Sequence, residues 1–207
     1  YMGHGLDAPC AGMAHGNSGF IMSYGRSFRY IKETAYKEIL DSLIAYENAA
    51  FLKRISEGYQ IDWESSELPS WCHGDMGIAL AYLDLKENTG AVFDPETSVV
   101  LGRIRQMAGN AKLRRSMSLC HGNIGNLLMM EQFAFCFREQ ELAIVHEFRK
   151  KVKGAWKRGG ILIEIEKRNW GLMGGCAGIG YGCLLMAQKC GVQGSNVLNV
   201  SFIKNCL

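Results

Sequence analysis

The sequence of 207 residues lacks several features that would assign it to a class at once. It has only three prolines, no apolar run long enough to span a bilayer, and no opening segment with the basic stretch and apolar core of a secretory signal. The net charge of +3 and the pI near 8.4 fall short of the concentrated charge of a dedicated nucleic-acid binder. We therefore expect a soluble, cytoplasmic protein with no membrane span and no nucleic-acid partner.

The eight cysteines lack the context in which a disulfide framework usually forms, because no export signal accompanies them. Two of them stand directly before a histidine, which favours reduced thiols and a metal site. For Cys136, Cys183 and Cys190, the simplest interpretation is a buried thiol that packs as a small hydrophobe. Hydrophobic residues make up 48% of the chain, which is enough to bury a sizeable core.

Glycine is abundant, and it recurs in one short motif. Each copy has a glycine, two variable residues and a second glycine, and the copies are HGNSGF from His15, HGDMGI from His73, HGNIGN from His121 and GGCAGI from Gly174. The first glycines of motifs 1 to 4, numbered in chain order, are 58, 48 and 53 residues apart, which indicates a repeating architecture. The first three motifs place a histidine before the glycine, and the fourth does not.

Between the motifs, the hydrophobic pattern is mainly helical. The segment 29–52 predicts an outer amphipathic helix whose apolar face is formed by Ile31, Ala35, Ile39, Leu43, Tyr46 and Ala50. Similar patterns begin at Ser98 and Glu141. The segments after motifs 2, 3 and 4 are apolar nearly all round, which predicts inner helices that are buried on every side. Only the stretch ILIEIE at 161–166 alternates like a strand, so we predict an all-α fold.

The motif glycines are expected to allow unusual backbone angles at the turn into each inner helix, and to let neighbouring helices approach closely. The residue before the first glycine then stands at the N-terminal end of that helix. Two basic clusters, KLRRS from Lys112 and FRKKVKGAWKR from Phe148, are expected to be solvated faces.

In this order, the motifs AHGNSGF, WCHGDMGI, CHGNIGN and GLMGGCAGIGYG resemble the lanthionine synthetase C-like cyclase family. WCHG together with CHG is most similar to the carboxy-terminal cyclase domain of class II lanthipeptide (type 2 lantibiotic) synthetases. The resemblance runs from about residue 14 to residue 198. It implies one LanC-like domain over residues 1–207 with the α/α toroid fold, here the incomplete C-terminal part of the ring.

The resemblance also implies a zinc ion held by Cys72, Cys120 and His121. The residue types fit, because zinc prefers sulfur and nitrogen ligands, and three protein ligands leave a position open for water or substrate. The implied activity is that of a lanthionine synthetase, an enzyme that adds cysteine thiols to dehydroalanine or dehydrobutyrine within a precursor peptide. His15 matches the family's candidate for proton handling, and His73 stands where stand-alone cyclases commonly have tyrosine.

Each of these assignments has a structural alternative. Without the order of the motifs, Cys72, Cys120 and His121 would be interpreted as two buried thiols and a hydrogen-bonded imidazole. His15 could satisfy its own turn, and His73 could line the site or simply pack beside it.

The chain departs from the family pattern at two points. Leu68 stands where stand-alone cyclases have an arginine, and the family's catalytic aspartate upstream of AHG would precede Tyr1. We therefore expect a C-terminal fragment that is weakly active or inactive alone. Its expected partners are the dehydrated precursor (leader-core) peptide and the missing N-terminal dehydratase and cyclase portion of the parent enzyme. The alternatives are a non-catalytic zinc-binding pseudo-cyclase or partner-binding scaffold, and a LanC-like protein that adds glutathione to dehydrated residues.

Overall fold

The computed structural model describes residues 12–14, 16–56, 70–89, 96–114, 116–157 and 169–187, and these residues contain no β-strand. The all-α prediction is confirmed for this part of the chain, while the strand-like stretch 161–166 lies outside the described residues. The helices are α1 (Asn17–Ser27), α2 (Thr34–Ser56), α3 (Asp75–Thr89), α4 (Glu96–Gly109), α5 (Asn123–Gln132), α6 (Glu139–Lys157) and α7 (Cys176–Ala187), with a short 3₁₀ turn at Ala134–Cys136.

The chain divides into two compact units, unit 1 at Tyr1–Ile104 and unit 2 at Arg105–Leu207. In unit 1, α1 packs against α2 and α3, and in unit 2, α5 packs against α6 and α7. None of the described helices combines the length and the hydrophobicity that a membrane span requires. The expectation of a single domain over 1–207 stays a prediction.

Every motif leads directly into a helix. The helices α1, α3, α5 and α7 each begin at the residue after the first glycine of their motif, and we call them the motif helices. The all-round burial predicted after motifs 2 and 3 is confirmed, since most of α3 and every residue from 123 to 130 of α5 are buried. The same prediction is wrong for α7, where Leu184 is 67% exposed. Among the described helices, α7 packs most extensively against α5, and this contact does not cover the side of α7 that carries Leu184.

The second glycine of every motif makes room for a backbone carbonyl group. A Cβ atom at this glycine would lie no more than 2.5 Å from the carbonyl oxygen of the residue six positions earlier, a separation that side chains do not tolerate. A carbonyl in a tight turn cannot move aside as the end of a flexible side chain can. The pairs are Gly19 with Met13, Gly77 with Trp71, Gly125 with Leu119 and Gly178 with Leu172.

The first glycines have ordinary backbone angles. Gly16 has φ −130° and Gly122 has φ −99°, and both lie in the extended region that any residue adopts. The expectation of unusual angles is therefore wrong at these two positions. Close approach is the requirement at Gly122, because a Cβ there would collide with the backbone of Met117 and Ser118.

The buried face of α2 differs from the predicted one by about one residue. Leu40 is buried against Ile21 of α1 and Leu85 of α3, with Leu43 and Ile44 partly buried beside it. Apolar residues occupy both 39 and 40 and both 43 and 44, so periodicity alone does not choose the face. The contacts with α1 and α3 choose it, and they leave exposed three residues of the predicted face: Ile31, Ala35 and Ile39.

The helices predicted from Ser98 and Glu141 are confirmed as α4 and α6. The helix α6 is amphipathic as expected, with one buried stripe formed by Val145, Phe148, Val152 and Ala155. Its exposed side carries Lys150, Lys151 and Lys153, so the predicted solvated face is confirmed for these three lysines. Arg149 of the same cluster is half-buried and pairs with Glu131 of α5 at 2.6 Å.

Two neighbouring glycines of α7 give a matched test of the carbonyl contact. We expect Gly178→Ala to lower the free energy of unfolding by about 1–3 kcal/mol, the usual cost of overpacking. Gly180 has nothing within 4 Å of its missing Cβ. Gly180→Ala should therefore raise the free energy of unfolding by roughly 0.5–1 kcal/mol through helix propensity. Urea denaturation followed by circular dichroism measures both changes, and equal effects of the two substitutions would show that the contact is unimportant.

Candidate metal centre

Cys72 lies in the tight turn that precedes α3. The Gly74 N–H donates to the Ser70 carbonyl oxygen at 3.0 Å, which closes the turn. The Cys72 side chain is buried, and its thiol donates to Ser70 Oγ at 3.4 Å. Ser70 Oγ also accepts the His73 N–H at 3.5 Å. Because a hydroxyl both donates and accepts, Ser70 can donate its own proton to Cys72 when that sulfur is ionised.

Cys120 and His121 lie in a turn of the same form before α5. Here the Gly122 N–H donates to the Ser118 carbonyl oxygen at 3.1 Å, which is the counterpart of the bond from Gly74 to Ser70. Cys120 therefore occupies in motif 3 the place that Cys72 occupies in motif 2. Both Cys120 and His121 are half-buried, so their side chains are neither enclosed in the core nor fully solvated.

Hydrogen bonds from Asn123 and Arg114 hold the motif 3 turn in place. Asn123, the first residue of α5, is fully buried, and its side-chain amide pairs with the Arg114 backbone on both sides. Oδ1 accepts the Arg114 N–H at 2.7 Å, and Nδ2 donates to the Arg114 carbonyl oxygen at 2.9 Å. Arg114 Nη1 then donates to the His121 carbonyl oxygen at 2.8 Å.

Arg114 thus corrects an expectation drawn from the sequence. The KLRRS cluster was expected to be a solvated face, and Lys112 is indeed exposed. Arg114 is half-buried and bound to the turn that carries His121, because its backbone is paired with Asn123. A charged residue in a basic cluster is therefore part of the framework of the candidate site.

Motif 2 is fixed by an ion pair at the corresponding position. Asp75, the first residue of α3, is fully buried and lies 2.5 Å from Nε of Arg103 on α4. A carboxylate in the first turn also interacts favourably with the positive end of the helix dipole. The start of α3, and with it the turn of Cys72 and His73, is thereby joined to α4.

Residues 12–14, directly before motif 1, lie against the turn of Cys72 and His73. His15 itself is outside the described residues, but its neighbour Ala14 donates its N–H to the Cys72 carbonyl oxygen at 3.0 Å. Gly12 has φ +117°, in the left-handed region that favours glycine, and a Cβ there would lie 2.8 Å from the same carbonyl oxygen. Motifs 3 and 4 pair in the same way, since the Cys120 N–H donates to the Met173 carbonyl oxygen at 2.9 Å.

The cysteines outside the motif turns have a different character. Burial raises the pKa of the Cys136 thiol, and it also raises the pKa of the Cys183 thiol. Both are half-buried free thiols that stay protonated at neutral pH. This favours the packing interpretation for these two, and Cys190 lies outside the described residues.

Sequence patterns missed the polar residues that hold the turns. They do not identify Ser70, Arg103 or Asn123, and they predict a solvated face for the cluster that contains Arg114, although one signal is present. Motifs 1 to 3 each place an Asn or Asp directly after the first glycine, and in motifs 2 and 3 this residue is fully buried in the structure. A polar residue at the start of an apolar helix indicates a bonded partner, because a buried polar group without one is strongly unfavourable.

Comparison with known proteins identifies the family. The family model described as lanthionine synthetase C-like protein matches residues 7–191. The chain therefore belongs to the lanthionine synthetase C-like family, and the resemblance based on the four motifs is confirmed.

One curated relative is the lacticin 481/lactococcin biosynthesis protein LcnDR2 of Lactococcus lactis subsp. lactis. It is 27% identical over 200 residues, an alignment that covers 89% of this chain and 21% of that protein. The chain thus spans about a fifth of the length of this relative. No solved structure matches the chain significantly.

The role of Asn123 is open to direct measurement. We expect Asn123→Asp to lower the free energy of unfolding by about 1–3 kcal/mol, because it sets a carboxylate oxygen against the Arg114 carbonyl oxygen in place of a donor. Asn110→Asp is the control, since Asn110 is exposed directly after the end of α4, where its Nδ2 donates to the Gln106 carbonyl oxygen at 2.9 Å. That change should stay within roughly 0.5 kcal/mol. Equal urea midpoints for the two variants would contradict a framework role for Asn123.

Proposed function

We propose that this chain is the zinc-dependent cyclase region of a lanthionine synthetase. It would add cysteine thiols of a dehydrated precursor peptide to dehydroalanine or dehydrobutyrine in the same peptide, closing lanthionine or methyllanthionine rings. The observation that carries the proposal is that Cys72 and Cys120 occupy the same position in two turns of the same form, in a chain of the lanthionine synthetase C-like family.

The chemistry of the donors fits zinc. Cys72, Cys120 and His121 offer two thiol sulfurs and one imidazole nitrogen. Three such ligands leave one tetrahedral position for a substrate, as in catalytic rather than structural zinc sites. When bound, zinc would hold a peptide thiol as the thiolate at neutral pH. The hydroxyl of Ser70 beside Cys72 is the kind of contact that orients and tunes a metal ligand.

The proposed reaction forms one carbon–sulfur bond and consumes no oxidant or reductant. The thiolate sulfur attacks the β carbon of the dehydro residue, and the electrons of the double bond move onto the α carbon and its amide carbonyl. A proton must then reach the α carbon, and it balances the proton that the thiol gave up. We assign this proton transfer to His15, because histidine has an ordinary pKa near 6.5 and can both take and give a proton at neutral pH. His73, half-buried directly after Cys72, is the second candidate.

A partner-dependent role is favoured by one specific observation. Trp170, four residues before motif 4, is 78% exposed, and Leu184 on α7 is 67% exposed. Large exposed apolar side chains of this kind favour contact with another polypeptide. We propose that a counterpart of the part of LcnDR2 that the alignment does not cover is such a partner, that the whole acts in the cytoplasm, and that the chain alone is weakly active. A non-catalytic zinc-binding scaffold is the alternative that this observation also supports.

Metal content tests the ligand assignment. We expect one zinc per chain, and we expect Cys120→Ala to lose most of it, because one ligand contributes several kcal/mol of the roughly 10–16 kcal/mol typical of tight sites. Cys136→Ala is the control, since Cys136 is a half-buried thiol with no assigned ligand role. Elemental analysis and competition with a chromophoric chelator give stoichiometry and affinity. A full zinc equivalent retained by Cys120→Ala would show that Cys120 is not a ligand.

The proton-transfer role of His15 is separable from zinc binding. We expect His15→Asn to keep its zinc and its unfolding midpoint while cyclisation slows by ~10²- to 10⁴-fold, the usual contribution of general acid–base catalysis. His146→Asn is the control, because His146 is exposed on α6. Ring closure is counted by alkylating residual thiols of a dehydrated precursor and weighing the products, without added glutathione.

The assay uses this chain with and without the proposed partner region, and an enzyme-free reaction sets the background rate. If His15→Asn closes rings at the parent rate with zinc retained, His15 is a turn residue and His73 becomes the candidate proton donor. If the parent closes no rings in either form yet holds zinc, the scaffold alternative is favoured. Addition only when glutathione is supplied would favour a glutathione-adding protein.

A further inference from the structure

Glu47 is a fully buried carboxylate that the chemistry above does not use. It lies on α2, in the stripe that includes Leu40 and Ile44 and faces α1 and α3, and its exposure is 0%. A buried carboxylate is strongly unfavourable unless it is paired or hydrogen-bonded. The contacts of Glu47 therefore indicate what it does.

Glu47 bonds Gly12 and Ser18, which lie on either side of motif residue His15 in the sequence, through one oxygen atom. Its Oε1 accepts the Gly12 N–H at 3.1 Å and also accepts a hydrogen bond from the Ser18 hydroxyl. Gly12 and Ser18 flank His15, three positions before it and three positions after it. Ser18 is itself fully buried near the start of α1, so the bond is shielded from water.

Residues 12–14 also contact the turn of Cys72 and His73. Ala14 donates to the Cys72 carbonyl oxygen at 3.0 Å, and the left-handed backbone of Gly12 brings that residue against the backbone of Cys72 and His73. Gly12 and Ser18 are thus bonded to α2 through Glu47, and Ala14 is bonded to the backbone of a candidate ligand. If Glu47 were removed, the Gly12 N–H and the Ser18 hydroxyl would each lose this acceptor.

We propose that Glu47 is a positioning residue for the proton-transfer step: by holding Gly12 and Ser18, it fixes the turn that carries His15. It touches neither substrate nor metal in this role. The proposal rests on the proposed function of His15. Its consequence is that loss of the acceptor at position 47 slows turnover without loosening zinc, because misplacing a catalytic group by about 1 Å can cost ~10²-fold in rate.

Two substitutions at position 47 separate positioning from packing. Glu47→Met keeps a similar volume but removes the acceptor, and Glu47→Gln keeps an oxygen that can accept both bonds. We expect kcat for cyclisation to fall by about 10- to 100-fold in Glu47→Met with KM and zinc content unchanged, and to return to within a few-fold of the parent in Glu47→Gln. Glu38→Met is the matched control, since Glu38 is exposed on the same helix, and it should leave kcat unchanged.

A second readout needs no turnover. The chain has five histidines, so the imidazole signals in NMR spectra of protein with ¹⁵N-labelled histidine can be assigned by single substitutions. The signal of His15 should shift in Glu47→Met and return in Glu47→Gln, whereas the signal of His146 on α6 should not move. If Glu47→Met does not fold, Ser18→Ala decides instead, because it removes one of the two bonds and should lower kcat with zinc retained.

The proposal is overturned if Glu47→Met, or Ser18→Ala in its place, keeps the parent kcat and the parent His15 signal. It is also overturned if Glu47→Met loses zinc together with activity and Glu47→Gln does not restore either, since that is the result of a purely structural role. His15→Asn in the same assay distinguishes the two proposals. If His15→Asn lowers kcat and Glu47→Met does not, only the positioning role of Glu47 is rejected. If His15→Asn keeps the parent kcat, the catalytic role of His15 is rejected, whatever the result for Glu47→Met.

Discussion

A backbone carbonyl oxygen fills the space beside the second glycine in each of the four motifs, no more than 2.5 Å from where a Cβ would lie. This contact folds the chain back over the first turn of each motif helix. Cys72 lies five residues before Gly77, and Cys120 lies five residues before Gly125. Both thiols are therefore carried by backbone segments of the same shape. Their equivalent positions follow from a steric constraint at the second glycine rather than from any property of sulfur.

The polar residues that hold these turns in place differ from one motif to the next. At the first position of the motif helix, Asp75 pairs with the Arg103 side chain, whereas Asn123 pairs with the Arg114 backbone. A carboxylate can satisfy a buried cation, and an amide can satisfy an N–H and a carbonyl group at once. The repeated glycines thus give one shape of turn, and the residue after the glycine determines which neighbouring segment that turn is fixed to.

The sequence predicted those features that depend on local contacts. The helices begin directly after the motif glycines, and α3 and α5 are buried as their composition indicated. The buried face of α2 was not predictable, because Ile39 and Leu40 fit the period equally well and only contact with α1 and α3 decides between them. Glu47 lies on the buried face of α2, seven residues after Leu40. The sequence alone does not show that this charged residue is buried, because it does not show which face of α2 is covered.

The bond from Ala14 to Cys72 would allow the proposed metal binding and the proposed proton transfer to be separated by mutation. It joins the residue before His15 to a candidate zinc ligand through backbone atoms alone. Substituting a side chain in either turn leaves this bond available, so the loss of an imidazole need not disturb the sulfur. Glu47 acts on the other side of the same segment and through Gly12 and Ser18. Two of the described attachments thus hold the residues on either side of His15: the backbone bond from Ala14 to Cys72 and the side-chain bonds to Glu47. Of these two, the attachment to Glu47 can be removed by substituting a side chain outside the motifs.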